Sequence, residues 1–522
     1  MAKLCTGLCD DEVEAADAAD RAARSLGHGS SLGAGLALTL PRVLGEGAGM
    51  DTPQGRAAGL LLLARLVGPG GCGDAAAASA TPACAAALGS EALLRQGWDG
   101  EGSGTLHRDL ADALLEACRA VVVRGCKPGG GEEGGAEAGD AAQQGYFLSA
   151  AAGPAGGGSA TSVLRALAAL EGCPAEAVGE GLAAAAAGVA ASLGVALFRG
   201  GRGAEGAEEE RRRCVARLYQ AHLGPILAAL LAPGHHGGGG GGGGGPVQWR
   251  NRDPARRAFD AVLRSGAGAV GPHLGTVVPV VVRHVGVDAD PDLKLSMLCL
   301  LEALLARPEG KDHWPAVTVP LIKEALQHNM VWRAGKVAST VRKVSIACFY
   351  ALLHQGYADR PVLFQTAPSL LPILKTDLDD YDASTRELVC LCLGRIFRAL
   401  PGALSAQPVS ELYPALLKRL DDSSDHVRFA CLDAFEAFWR AAPLACFMGT
   451  TLEYSLDQLL VHLDDANPTV QARVMDVLKA SVPVDPPKVA QKALAVRNGH
   501  RSPAFVDELV ALCRAAAPGY SP

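Results

Sequence analysis

A chain that sets an acidic pair and then a basic residue at the head of a helix, about every forty residues, is built to stack copies of one unit. The clearest copy is Leu412 to Ala442, LYPALLKRLDDSSDHVRFACLDAFEAFWRAA. A first helix runs to Leu420, and Asp421, Asp422, Ser423 and Ser424 break it while offering oxygens to cap the next. A second helix then starts near Asp425. At 3.6 residues per turn Val427, Ala430, Cys431, Ala434, Phe435 and Phe438 share one face, with Arg428, Asp433, Glu436 and Arg440 off it. One such pair cannot bury that face alone, so neighbours must cover it.

The neighbours are legible. Pro372, Asp380, Thr385 and Arg386 repeat the spacing of Pro414, Asp422, Val427 and Arg428. A looser copy puts Gln471 at the arginine position, and upstream segments offer Arg342, Lys294 and Arg257. These six anchors are 37, 48, 44, 42 and 43 residues apart, the period of HEAT-type helical pairs. Asp253, Asp290, Asp382, Ser424 and Asn467, each four residues before an anchor, fit N-cap positions. The expected fold is all-α: a solenoid of HEAT-type, armadillo-like repeats carrying Gly/Ala-rich insertions. The anchors Arg257, Lys294, Arg342, Arg386 and Arg428, with Asp380 and Asp422, are read as structural.

The rest of the chain is punctuated by composition. Residues 1–128 read as degenerate Ala/Gly-rich repeats, with helical pieces at Leu36 to Leu44, Gly55 to Val67 and Arg108 to Val123, and Arg56 at an anchor position. A glycine-rich insertion at 129–160 lacks the bulk to pack and reads as disordered. Helical repeats return at 161–233, with a helix at Ser162 to Leu170, a buried Ala/Gly-rich one at Gly181 to Phe198, a charged start at Glu208 to Arg213, and helices broken at Gly224-Pro225. A poly-Gly linker spans 234–246; the better-packed array spans 247–515, and 516–522 is a tail.

Chemistry-bearing motifs do not survive their context. Gly29, Ser31 and Gly33 spell a nucleophile elbow, but a charged helical stretch stands where a strand must precede it. Gly68, Gly70 and Gly73 match a dinucleotide fingerprint in letters only, following a leucine-rich helix. His235 and His236 border nine glycines without further ligands. The chain is therefore read as no enzyme, with no cofactor, metal or small-molecule substrate. A net charge of −7 argues against nucleic acid. Fifteen cysteines, with no CxxC pair, sit mostly at apolar helical positions such as Cys299, Cys348 and Cys431 and read as reduced core residues. With no span expected to enter a membrane and no signal peptide, the location expected is cytosolic.

Two surface features remain. The acidic pairs Asp379-Asp380, Asp421-Asp422 and Asp464-Asp465 recur at the same place in each repeat, as a turn requirement predicts, and would line one edge as a negative ridge. Asn329 to Lys343, NMVWRAGKVASTVRK, contains no acid. If helical, it puts Val337, Val341, Val344 and Cys348 in a core stripe and Arg333, Lys336, Thr340 and Lys343 beside it. Trp332, Arg333, Lys336 and Lys343 are thus the candidate protein-interaction residues.

LYQAHLGPIL, VWRAGKVASTVRKVSIACFYALL, YPALLKRLDDSSDHVR and LLVHLDDANPTVQARVMDVLK, within residues 214 to 515, resemble the C-terminal half of the HEAT-repeat dynein axonemal assembly factors, the factor 5 family. The resemblance implies a non-enzymatic cytoplasmic factor for preassembling outer and inner dynein arms of motile cilia. Its implied partners are axonemal dynein subunits, intermediate or heavy chains, and other assembly factors or chaperones. Its implied location is cytoplasmic dynein assembly foci, or association with the cilium. The alternative is a tubulin-binding HEAT array of the TOG kind, suggested by Trp332, Arg333 and Lys336.

Overall fold

The structure, a computed structural model, describes residues 53–67, 84–85, 87–88, 104–125, 159–172, 181–198, 207–232, 248–251, 253–307 and 310–517. The readings at Leu36 to Leu44, Ser31, Gly68 to Gly73, 129–158, His235, His236 and the glycine tract lie outside the described residues. The described elements are helices, with no strand among them, and they fall into two compact units, residues 1–273 and 274–522.

The first unit contains α1 (Pro53–Val67), α2 (Gly104–Gly125), α3 (Ser159–Glu171), α4 (Leu182–Phe198), α5 (Ala207–Leu230) and α6 (Pro254–Ser265). Helix α1 packs on α2, α4 on α3 and α5, and α6 on α3. Alanine makes this packing close. A side chain at Gly194 of α4 would meet the backbone of Cys214 at 3.1 Å. No helix among the described residues is long and apolar enough to cross a membrane. Helix α5 starts where the sequence places it, with Glu208 and Arg212 3.6 Å apart on successive turns. It does not break at Gly224-Pro225 as expected. Pro225 removes one N–H, and Gly224 admits the His273 ring where a Cβ would stand 2.9 Å from its Cε1.

The second unit is six helix pairs. Helices α7 (Leu274–His284) and α8 (Pro291–Leu305) form the first. In the second, Pro315–Pro320 runs through a π-helical stretch, Leu321–Leu326, into Gln327–Met330, together α9, which precedes α10 (Lys336–His354). Next come α11 (Arg360–Asp377) with α12 (Ala383–Ala399), and α13 (Ala406–Lys418) with α14 (Asp425–Phe438). Then α15 (Thr450–His462) pairs with α16 (Pro468–Ser481), and α17 (Pro486–Val496) with α18 (Pro503–Ala516). The second helices pack in one row, α8 on α10 on α12 on α14 on α16 on α18; α11, α13, α15 and α17 form the row beside it. Where α12 crosses α14, Gly394 brings the backbones together, since a Cβ there would sit 3.3 Å from the Ala434 Cα.

Asp253, Asp290, Asp382, Ser424 and Asn467 all occupy N-cap positions. Asp290, Asp382 and Asn467 accept a backbone N–H of the first turn, whereas Asp253 accepts from the Arg250 N–H. The apolar face of α14 is buried as its period requires, and Trp439 just beyond it is fully buried as well. Phe435 meets Trp439 at 5.4 Å and Phe438 at 5.5 Å, and Phe438 in turn meets Phe397 of α12 and Phe447. This cluster spans neighbouring repeats, so its loss acts on a seam as well as on one helix. Truncating Phe435 to Ala is expected to cost about 3–5 kcal/mol. A lowered melting temperature with faster amide exchange in α12 and α14 would show this; an unchanged melt would mean the buried face is misassigned.

Candidate functional site

The turn between the helices of each pair forms one edge of the second unit, and that edge carries most of its polar structure. Arg342 of α10 reaches the following turn, where its Nε donates to Asp380 Oδ2 at 2.7 Å and its Nη2 bonds the same oxygen. Arg386 of α12 donates through Nε and Nη2 to both oxygens of Asp422, each at 2.7 Å. Arg428 of α14 pairs with Asp465. Every aspartate serves its own turn as well, and Asp422 further accepts from Arg419 Nη1 at 3.1 Å. Asp380, Asp422 and Asp465 also accept the backbone N–H two residues on, from Asp382, Ser424 and Asn467 respectively. Each arginine also returns to the backbone beside its own helix: Arg342 to Arg333 O, Arg386 to Asp380 O and Tyr381 O, Arg428 to Leu420 O. One guanidinium thus closes a turn and clamps the next repeat to it.

The clamps are dry enough to matter. The side chain of Arg342 is 1% exposed and that of Asp380 is fully buried. Against the cost of burial, bonds from Arg386 and the Ser424 N–H hold the Asp422 carboxyl below its ordinary pKa, and the Asn467 N–H and Arg428 do the same for Asp465. The ladder ends where its partner residues change. Gln471 donates to its own turn at Asp465 O, and the following turn, Arg497 to Ser502, has no carboxylate for it to meet. Upstream, Lys294 is buried and donates to Val287 O at 2.7 Å, within its own turn. Arg257 is half-buried in the first turn of α6, its N–H on Asp253 O.

Two expectations are corrected here. The acidic pairs do not form an open negative ridge. The second aspartate of each pair takes an arginine from the preceding repeat, while the first is met from the following one. Asp379 binds Lys418 and Arg419, Asp421 lies 3.6 Å from His462 Nε2, and Asp464 accepts the Arg501 N–H. The second aspartates spend their charge internally, whereas the side chains of Asp379 and Asp421 stay open to solvent. Nor is Asn329 to Lys343 one helix. The chain leaves α9 at Met330, turns through Val331 to Gly335, where Gly335 has φ +107°, and re-enters helix at Lys336. Burial of Arg342 beside Asp380 sets the face of α10, so Val341, Arg342, Ser345, Ile346, Cys348 and Phe349 point inward. Val337 is exposed and Val344 half-buried.

The four candidate interaction residues therefore separate. Lys343 belongs to the ladder: its Nζ stands 3.0 Å from the N-cap carboxylate Asp382. Trp332, 51% exposed, lies on the turn with exposed Arg333, and exposed Lys336 opens α10. The turn at Val331 to Gly335 that exposes them was not read from the sequence, although Gly335 was the signal. Among the described residues no group of histidine, cysteine and acidic side chains has the arrangement to hold a metal. Cys348, Cys390, Cys392, Cys431 and Cys513 are buried thiols, whereas Cys299 is only half-buried. Burial pushes Cys513 up to about 11, away from the reactive thiolate.

The HEAT repeat family matches residues 412–442, the stretch that holds Asp422 and Arg428. The chain is 25% identical over 300 residues to dynein axonemal assembly factor 5 of Homo sapiens, covering 56% of this chain and 34% of that protein. It is 28% identical over 272 residues to the Xenopus laevis protein of that name, covering 50% and 32%, and 26% identical over 305 residues to that of Mus musculus, covering 56% and 34%. The match thus spans about a third of these relatives' length. Among solved structures, an engineered protein is 13% identical with TM-score 0.42, covering 93% of this chain and 99% of its own. A designed armadillo repeat protein bound to the peptide (KR)4 is 17% identical with TM-score 0.35, covering 46% and 98%. Overlap this loose carries no information about partners.

Arg342→Ala would leave the buried Asp380 carboxylate with only the Asp382 N–H, at a cost of about 3–5 kcal/mol. Lys375→Ala, breaking an exposed pair with Glu411, is worth about 0–1 kcal/mol. Equal denaturation midpoints for the two variants would refute the ladder's role. A second outcome concerns Asp377, whose buried carboxyl oxygens find no hydrogen-bond partner and lie 3.7 Å from Arg342 at the nearest. Burial pushes it up to about 7, with Arg342 pulling the other way. A raised pKa means that the folded chain holds a proton the unfolded chain has released. Stability is therefore full below about 4 and declines as pH rises through about 7. Asp377→Asn should stabilise the fold more at pH 8 than at pH 5, and chemical denaturation at both values measures it.

Proposed function

We propose that the chain is a non-enzymatic cytoplasmic scaffold for preassembly of outer and inner axonemal dynein arms, holding dynein subunits such as the intermediate chain while they are joined. The observation that carries this reading is the 25–28% identity to dynein axonemal assembly factor 5 of three species over about half of the chain. The physics supports the same class of role. A stack of helix pairs offers a long surface, and on its turn edge the charged side chains clamp repeat to repeat, a use that calls for no bound substrate. In this reading other assembly factors or chaperones share the surface with the dynein chains. Trp332, Arg333 and Lys336 are the contact residues proposed, and Lys343 contributes by holding their helix in place.

The test is recovery of axonemal dynein intermediate or heavy chains from the cytosol of ciliating cells on the immobilised chain. Recovery above that given by an unrelated helical-repeat protein is expected. Failure with folded protein, shown by its circular dichroism and cooperative melt, would sink the assembly role.

A further inference from the structure

The ladder has a gap, and its chemistry specifies what fills it. At three successive turns a carboxylate, Asp380, Asp422 or Asp465, receives the cation of the preceding repeat. At the turn Val331 to Gly335 no carboxylate exists, and no acid occurs from Val331 to Ala358. The cation that would use it, Lys294, turns back to Val287 O, and burial followed by the nearby Arg333 charge lowers its pKa. Arg333 and Lys336 both stand exposed. Arg333 adds to the positive charge around Lys294, and neither Arg333 nor Lys336 makes an ion pair among the described residues.

The same place concentrates exposed apolar surface. Val287, Val331, Trp332 and Val337 are all exposed, and Tyr381 is 72% exposed. They are joined by bonds already described and a few more. The His328 ring and the Asn329 amide meet Val285 O at 2.9 and 2.8 Å, tying the Val287 turn to the Trp332 turn. Arg342 holds Arg333 O on one side and Asp380, the neighbour of Tyr381, on the other. Tyr381 Oη bonds Ser339 Oγ at 2.8 Å, two residues beyond Val337. Three consecutive turns thus present one row, with aromatic and branched side chains set about two unpaired cations.

We infer that this row, centred on Trp332, Arg333 and Lys336, is a docking surface for an extended acidic segment of a partner protein, which supplies in trans the carboxylates that the turn lacks. Apolar side chains of the segment rest on Trp332, Val337 and Tyr381, while its acids reach Arg333 and Lys336. Charge complementarity selects this occupant: a basic segment would add to the positive charge, and a neutral one would leave it unmatched. The inference does not depend on which protein carries the segment.

The probe is a short labelled peptide alternating Glu and Leu and ending in Trp, with a Lys-for-Glu counterpart, titrated with the full chain by fluorescence anisotropy. The acidic peptide should bind and the basic one should not, and binding should weaken with salt. The double variant Arg333→Glu, Lys336→Glu should lower affinity about tenfold or more, roughly 1.4 kcal/mol. Trp332→Ala, at an exposed position, should weaken binding without moving the melting temperature. Arg440→Glu, just past the C-terminal end of α14, should leave binding unchanged. No binding of the acidic peptide, equal binding of the basic one, or affinity untouched by both sets of changes overturns the inference. Loss of peptide binding in a chain that still recovers dynein subunits would remove the surface and spare the scaffold role.

Discussion

The guanidinium that leaves one repeat to meet an aspartate of the next is what the second unit depends on. Burying an ion pair repays its desolvation only when the remaining donors and acceptors find partners. Around Asp422 they do: it receives two bonds from Arg386, one from Arg419 and one from the Ser424 N–H, while Arg386 spends its third nitrogen on Asp380 O and Tyr381 O. Each pair therefore sets two things together, the geometry of a turn and the offset between successive helix pairs. Apolar packing between the second helices supplies the larger share of stability, but it is tolerant of sliding. The clamp is not, because a carboxylate displaced by one residue would lose its partner.

Much of this was visible in the letters. The N-caps, the apolar face of α14 and the places of the clamping residues Arg342, Arg386 and Arg428 follow from spacing, since the periods of helix and repeat are both written in residue types, whereas Lys294 and Gln471 bond within their own turns. What the spacing could not supply was the direction of each charge. Arg386 and Asp422 are 36 residues apart, and nothing local says that a turn aspartate is paired backward and its neighbour forward. The supposed acidic ridge was an error of that kind: formal charges were counted without their partners. Val337 shows a related limit. Its 3.6-residue period with Val341 was real, but burying Arg342 set the face of α10, and a helix has one inward side.

The candidate site shows the same lesson reversed. An indole serves equally well in a core or on a surface, so residue type alone does not place Trp332. The decisive fact is local and conformational: Gly335 at φ +107° starts a new helix after the tryptophan instead of carrying it inward. Lys343, seven residues from Lys336 and chemically identical, is committed to Asp382. Composition could not separate those two lysines; the register of the ladder does.

The order in which a ribosome releases the ladder's members has its own consequence. In every clamp the arginine precedes its aspartate, by 38, 36 and 37 residues. A nascent array therefore carries one guanidinium awaiting its counterion at the growing end, and each new helix pair discharges it while presenting the next. Only with Gln471, which is neutral and bonds its own turn, does the debt stop being handed forward, so the next pair, α17 with α18, is added with no guanidinium of that ladder still waiting.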